Sequence, residues 1–154
     1  AQMSNFLMTC MVGIAATSFM TLTLYLFHWQ GFANGDMVRA LGSLITKKYD
    51  NAVNPGLVIH FIGGILFTFM YVAVWSSFPE IVGASVSRFI QLGAFCGFAQ
   101  GVVTSMSLVI FVAEHHPLEQ FRVAGIRVAL IHLVSHVVFG ATVGALVGLL
   151  KLTI

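Results

Sequence analysis

Charge is what this chain has least of. Only 8% of its 154 residues are Asp, Glu, Lys or Arg, while 58% are hydrophobic, and the mean hydropathy is +0.97. A water-soluble domain covers its surface with roughly 25% charged residues. So little charge excludes that class and points to an integral membrane protein. The seven basic residues form no run, which argues against a nucleic-acid partner. Cysteine is also scarce. Cys10 and Cys96 both fall in apolar stretches and read as small buried hydrophobes rather than a disulfide or metal pair. Catalytic signatures are missing too: there is no H-E-x-x-H, no G-x-S-x-G, no phosphate loop and no acidic pair within an apolar stretch. The expectation is a protein that is not an enzyme.

What the chain does have is long apolar runs. A hydrocarbon core about 30 Å thick takes roughly 20 residues at 1.5 Å each. Four stretches meet this, at about 6–29, 56–78, 88–113 and 126–150, the second bracketed by Pro55 and Pro79. The first lacks a basic leader and is too long for a signal-peptide core, so it is expected to be a span. The predicted fold is a single all-α membrane domain over 1–154: four transmembrane helices in two hairpins. A short amphipathic helix over 36–48 is added, with Asp36 as its N-cap. There Met37, Leu41, Leu44 and Ile45 share one face, and Arg39, Ser43 and Lys47 the other. This predicts a helix lying in the membrane interface or one packed back on the bundle. Arg39, Lys47, Lys48, Arg122 and Arg127 gather on the side of the two long connections, against Arg88 and Lys151 on the terminal side. The positive-inside rule then puts both termini on the non-cytoplasmic side, in a membrane expected to be the bacterial inner membrane.

Small residues recur at steps of four. Thr9, Gly13, Thr17 and Thr21 match Gly93, Gly97, Gly101 and Ser105 at one offset, and His60, Gly64 and Thr68 match His136, Gly140 and Gly144 at another. Such matching predicts a duplicated hairpin. In lipid, where little hydrophobic force acts between helices, small-residue rows let backbones approach and hold by contact. Gly13, Gly93, Gly97, Gly101, Gly144 and Gly148 are therefore expected to be packing positions.

Six histidines are present. His28, His115 and His116 lie at span ends and are expected to be interfacial. His60 and His136 lie inside spans, each fifteen residues before Trp75 or Lys151, about 22 Å from the far interface. Ionisable groups at that depth are functional candidates by default. Facing each other, they could ligate a haem b iron or a (bacterio)chlorophyll magnesium, with Gly64 and Gly140 clearing room for the macrocycle and His132 as partner or alternative ligand. The plainer alternative is a hydrogen bond to Thr17, Thr21, Ser105 or Ser135. A third is a proton or ion path through His132, His136 and Gln100. The His132–His136 spacing alone would be a weak metal signal, lacking a third ligand.

At Asn54, Pro55, His60, Phe61, Gly64 and Tyr71, with His136 and Gly140 in the last helix, the sequence resembles an uncharacterised family of small bacterial four-helix integral membrane proteins. The resemblance implies the four-span fold and carries no activity. The functional expectation is an accessory subunit packed against other membrane subunits in the lipid bilayer, in an electron-transfer or photosynthetic complex. The competing expectations are a b-type haem electron carrier ligated by His60 and His136, and a small transporter or channel.

Overall fold

The computed structural model describes residues 2–123 and 125–152. Helix α1 runs Gln2–Trp29, α2 Met37–Thr46, α3 Val53–Ser76 and α4 Val86–Ser107. Helix α4 continues through a π-helical stretch, Leu108–Val112, and one further turn, Ala113–His115; after a 3₁₀ turn at Glu119–Phe121, α5 runs Ile126–Leu150. Among the described residues, four helical segments are long and apolar enough to cross a membrane: Met3–Trp29, Val53–Ser76, Val86–His115 and Ile126–Leu150. The fourth has the predicted bounds. The second begins three residues before the predicted start at 56, because a proline in the first turn needs no amide partner and Pro55 sits inside that turn. The third runs past 113 because the main chain widens to the π pattern without breaking, the Ala113 amide donating to the Leu108 carbonyl.

Around the bundle the order is α3, α1, α5, α4. The tightest contact joins α4 and α5. A Cβ on Gly93 would collide with the Gly140 carbonyl and one on Gly140 with that of Gly93; Gly97 abuts the His136 carbonyl and Gly144 that of Phe89. Gly13, Gly101 and Gly148 are also buried against neighbouring helices. The glycine rows thus turn inward, and the absence of side chains is what lets the two main chains touch. On the other side of the bundle, Gly13 of α1 meets Ile65 and Thr68 of α3, and Gly64 of α3 meets the Thr17 side chain.

The two hairpins do not pack in equivalent register. Carrying the α1–α3 pairs across by the sequence offsets would set Gly101 against Gly140 and Gly97 against Gly144. Instead Gly93 meets Gly140 and Phe89 meets Gly144, eight positions along α4, or about 12 Å of slide. Likewise Ser105, the counterpart of Thr21, donates to the Ala129 carbonyl at 3.0 Å rather than to His136.

The amphipathic segment forms α2, with Asp36 accepting from the Arg39 amide as N-cap and Lys47 closing it in the left-handed region. The predicted faces are rotated, however. Met37, Val38, Gly42 and Ser43 are buried while Ile45 is 64% exposed. The cause is backbone contact with the start of α3. A side chain at Gly42 would strike the Ala52 carbonyl, and one at Gly56 the Val38 carbonyl. Ser43 tolerates burial because its hydroxyl donates to the Arg39 carbonyl at 2.6 Å within its own helix.

Asp36 does more than cap. It is 4% exposed, and its carboxylate accepts from the Tyr25 hydroxyl at 2.7 Å and the Tyr49 hydroxyl at 2.8 Å, with Arg39 Nη1 at 3.4 Å. Burial alone would push its pKa up. The two phenolic hydrogen bonds, the Arg39 amide and the Arg39 charge outweigh it and hold the carboxyl below its ordinary 3.8. The other long connection is fastened to the same end. His116 is fully enclosed, shielded from the water that its place at a span end suggested. Its Nδ1 accepts from the Leu118 amide at 3.1 Å, so Nε2 carries the proton that goes to the Ala40 carbonyl at 3.0 Å.

Candidate functional site

All five helices contribute to one cavity of about 210 Å³ in the bundle. Its polar lining is Thr17 from α1, His60 from α3, Gln100 and Thr104 from α4, and His136 from α5; Phe67 and Phe139 supply aromatic wall, and Met37 and Leu41 of α2 close one end. Histidines from two separate sequence regions therefore reach one space. Each is there for a local reason: His60 lies one turn before Gly64, where α3 is drawn against α1, and His136 lies one turn before Gly140, where α5 is drawn against α4.

Hydrogen bonds determine which ring nitrogen does what. The Thr21 hydroxyl donates to the Thr17 carbonyl at 2.7 Å, so its oxygen is free to accept from His60 Nε2 at 3.0 Å. That puts the His60 proton on Nε2 and leaves Nδ1 a lone pair. His136 Nδ1 faces the His132 carbonyl at 2.9 Å; a carbonyl only accepts, so Nδ1 carries the proton and Nε2 is the lone pair. Among the described residues His60 Nδ1 and His136 Nε2 have no hydrogen-bond partner and are not fully enclosed, so each borders open space. His132 is similarly tied, Nδ1 to the Val128 carbonyl at 2.7 Å, but its Nε2 is enclosed and unpaired and the ring does not line the cavity.

A haem or chlorin between His60 and His136 does not fit these residues. At about 210 Å³ the cavity falls below the roughly 300–1,000 Å³ that drug-sized ligands occupy, and a macrocycle is larger than the smallest of those. The two glycines expected to clear its faces leave no slot, since the Thr17 side chain fills the space beside Gly64 and the Gly93 main chain that beside Gly140. Among the described residues, no group of three His, Cys, Asp or Glu side chains is placed to hold a metal ion. Of the candidates named from sequence, His60, His136 and Gly64 come together at the cavity, while His132 and Gly140 do not line it.

Sequence reasoning passed over Thr104, and it named Gln100 only on a proton or ion path and Tyr71 only in the resemblance, not as a pair. The Tyr71 hydroxyl donates to Gln100 Oε1 at 2.5 Å, joining α3 to α4 where the two helices otherwise stand apart. That leaves the Gln100 amide nitrogen as a donor. The signal was available, since a glutamine inside an apolar span is costly and needs a partner. Comparison with family models, curated proteins and solved structures found no match for this chain.

Proposed function

We propose that this chain is an accessory subunit of a larger electron-transfer or photosynthetic assembly in a bacterial inner membrane, and that its part there is to hold a small uncharged ligand at His60 and His136. One observation carries the ligand site: two imidazoles from different helices are each anchored through one nitrogen, keep the other unpaired, and line one cavity. No carboxylate, lysine or arginine side chain lines that cavity, so an ionic cargo would find no counter-ion there. The outer faces of the spans are strongly apolar, with Phe6, Phe19, Phe95, Phe98 and Phe111 exposed, which suits both lipid and partner helices. The exposed Ile45 beside Lys47 and Lys48 suits α2 to the headgroup level on the cytoplasmic side.

The test is mild extraction from native membranes, followed by sizing, a partner inventory and an absorption spectrum. Partners at fixed stoichiometry and no Soret band are expected. A homogeneous oligomer of this chain alone would overturn the subunit reading. A Soret band abolished by His60→Ala or His136→Ala would replace the small ligand with haem.

A further inference from the structure

Helices α3 and α4 are consecutive in the chain, yet an apolar groove of about 400 Å³ separates them. It is lined by Met70, Val74 and Trp75 on one side and Cys96, Ala99 and Val103 on the other. Val103 is 66% exposed, so in a bilayer the groove opens sideways to acyl chains. Its inner end meets the histidine cavity, for Phe67, Gln100 and Thr104 line both. A small, mainly apolar cavity carrying a few polar groups thus lies beside an apolar groove open to the membrane.

We propose that the cavity and groove together bind a lipid quinone in its reduced, hydroquinone form, the ring between His60 and His136 and the isoprenoid tail in the α3–α4 groove. The inference rests on the reading of the histidine cavity as a ligand site and names its ligand class. Three features of the site select it. With no charged side chain in the lining, a phosphate head or a fatty carboxylate would be desolvated without a counter-ion, which is strongly unfavourable. The two unpaired nitrogens, His60 Nδ1 and His136 Nε2, are acceptors in the neutral rings and come from different helices. A head with two hydroxyl donors on one ring supplies a partner for each, and a hydroquinone has that pattern. An isoprenoid alcohol or sterol has one hydroxyl and would leave an imidazole unpaired; an oxidised quinone has none. Finally, the head must be flat and apolar on its faces to lie beside Phe67 and Phe139, with the Gln100 amide available to donate to a hydroxyl oxygen. The α3–α4 separation gives the tail a place that a tightly closed bundle would deny it.

The experiment is equilibrium dialysis of the full chain in dodecyl maltoside micelles against radiolabelled decylubiquinol, with protein-free micelles subtracted. Decylubiquinone and decanol serve as comparison ligands. Saturable uptake of one quinol per chain is expected, at least tenfold tighter than the quinone, and decanol should not displace it. His136→Leu should weaken binding at least tenfold. Val103→Trp changes only a lipid-exposed groove residue, so it tests the tail's place even if the histidine variant folds poorly; it should weaken binding severalfold with unchanged helicity. Uptake no greater than in empty micelles, or binding indifferent to both substitutions, would overturn the proposal. Quinone binding as tight as quinol would overturn the donor argument. Displacement by decanol would overturn head recognition while leaving a ligand cavity in place, and neither result touches the partner inventory that tests the subunit reading.

Discussion

The α1–α3 and α4–α5 contacts use the same four-residue spacing to different ends. Between α4 and α5 the row is glycine against glycine, Gly93 on Gly140, and the main chains themselves are in contact. Between α1 and α3 the row is hydroxyl against glycine or imidazole: Thr17 fills the space beside Gly64, and Thr21 accepts from His60. The first arrangement brings main chain against main chain at its centre. The second keeps polar groups inside, and those groups form one wall of the cavity. The comparison teaches that a small-residue stripe specifies closeness, while the atoms substituted for hydrogen at each step decide whether the contact is inert or leaves chemistry available.

The largest effect that would break this contrast is expected at the glycine contact. Gly140→Val drives two methyl groups into the Gly93 carbonyl and should cost about 3 kcal/mol or more, at the upper end of overpacking penalties, or prevent folding. Thermal unfolding in micelles followed by circular dichroism measures it; a variant as stable as the parent would mean α4 and α5 do not touch there. Next comes the connection end. Asp36→Ala leaves the Tyr25 and Tyr49 hydroxyls without their acceptor and removes the α2 cap, at about 2 kcal/mol.

Because Asp36 is held below its ordinary value in the folded state, its contribution is fully present above the unfolded-chain pKa and lost as pH falls through the lower folded one. Stability of the parent should therefore decline in that acid window, and the Asp36→Ala variant should lack this part of the decline. Parallel acid titrations of the two proteins by circular dichroism would show it, and identical pH profiles would remove Asp36 from the account.

On the hydroxyl side the expected changes are smaller. Thr21→Val preserves shape but takes away the acceptor for His60, at about 0.6 kcal/mol, the mean found for hydrogen bonds between membrane helices. A loss several times larger would show that Thr21 sets the ring's position, not only its proton. The smallest effect is reserved for a control. Gly63 neighbours Gly64 on α3, but nothing lies within 4 Å of where its side chain would be. Gly63→Ala should be neutral or stabilise by a few tenths of a kcal/mol through helix propensity, whereas Gly64→Ala meets Thr17 and should be destabilising. Equal behaviour of the two would dissolve the distinction between packing glycines and incidental ones.

The four spans were legible because hydropathy over twenty residues is a property of the chain alone. The inward turn of the glycine rows was legible for a similar reason: spacing of four puts them on one helical face. The rotation of α2 was not, because its apolar stripe pointed one way while Gly42 and Gly56 allowed backbone contact on another face, and contact between main chains leaves no hydrophobic signature. His116 illustrates the same limit. Position at a span end suggested water, but its neighbours Ala40 and Leu118 are brought by two different connections. The like depth of His60 and His136 in their helices could be counted from Trp75 and Lys151; that both line one cavity with no slot for a macrocycle could not.

By itself, then, the order of residues determined that this protein has four helices long and apolar enough to cross a membrane and that its glycines spaced by four share a face, since both follow from transfer energies and helical period acting locally. Tertiary structure alone decided the register in which the hairpins close, the gap between α3 and α4, and which nitrogen of each buried imidazole is left without a partner. Those depend on sub-ångström fit between segments far apart in the chain, where one carbonyl or one hydroxyl settles whether helices touch or leave a space.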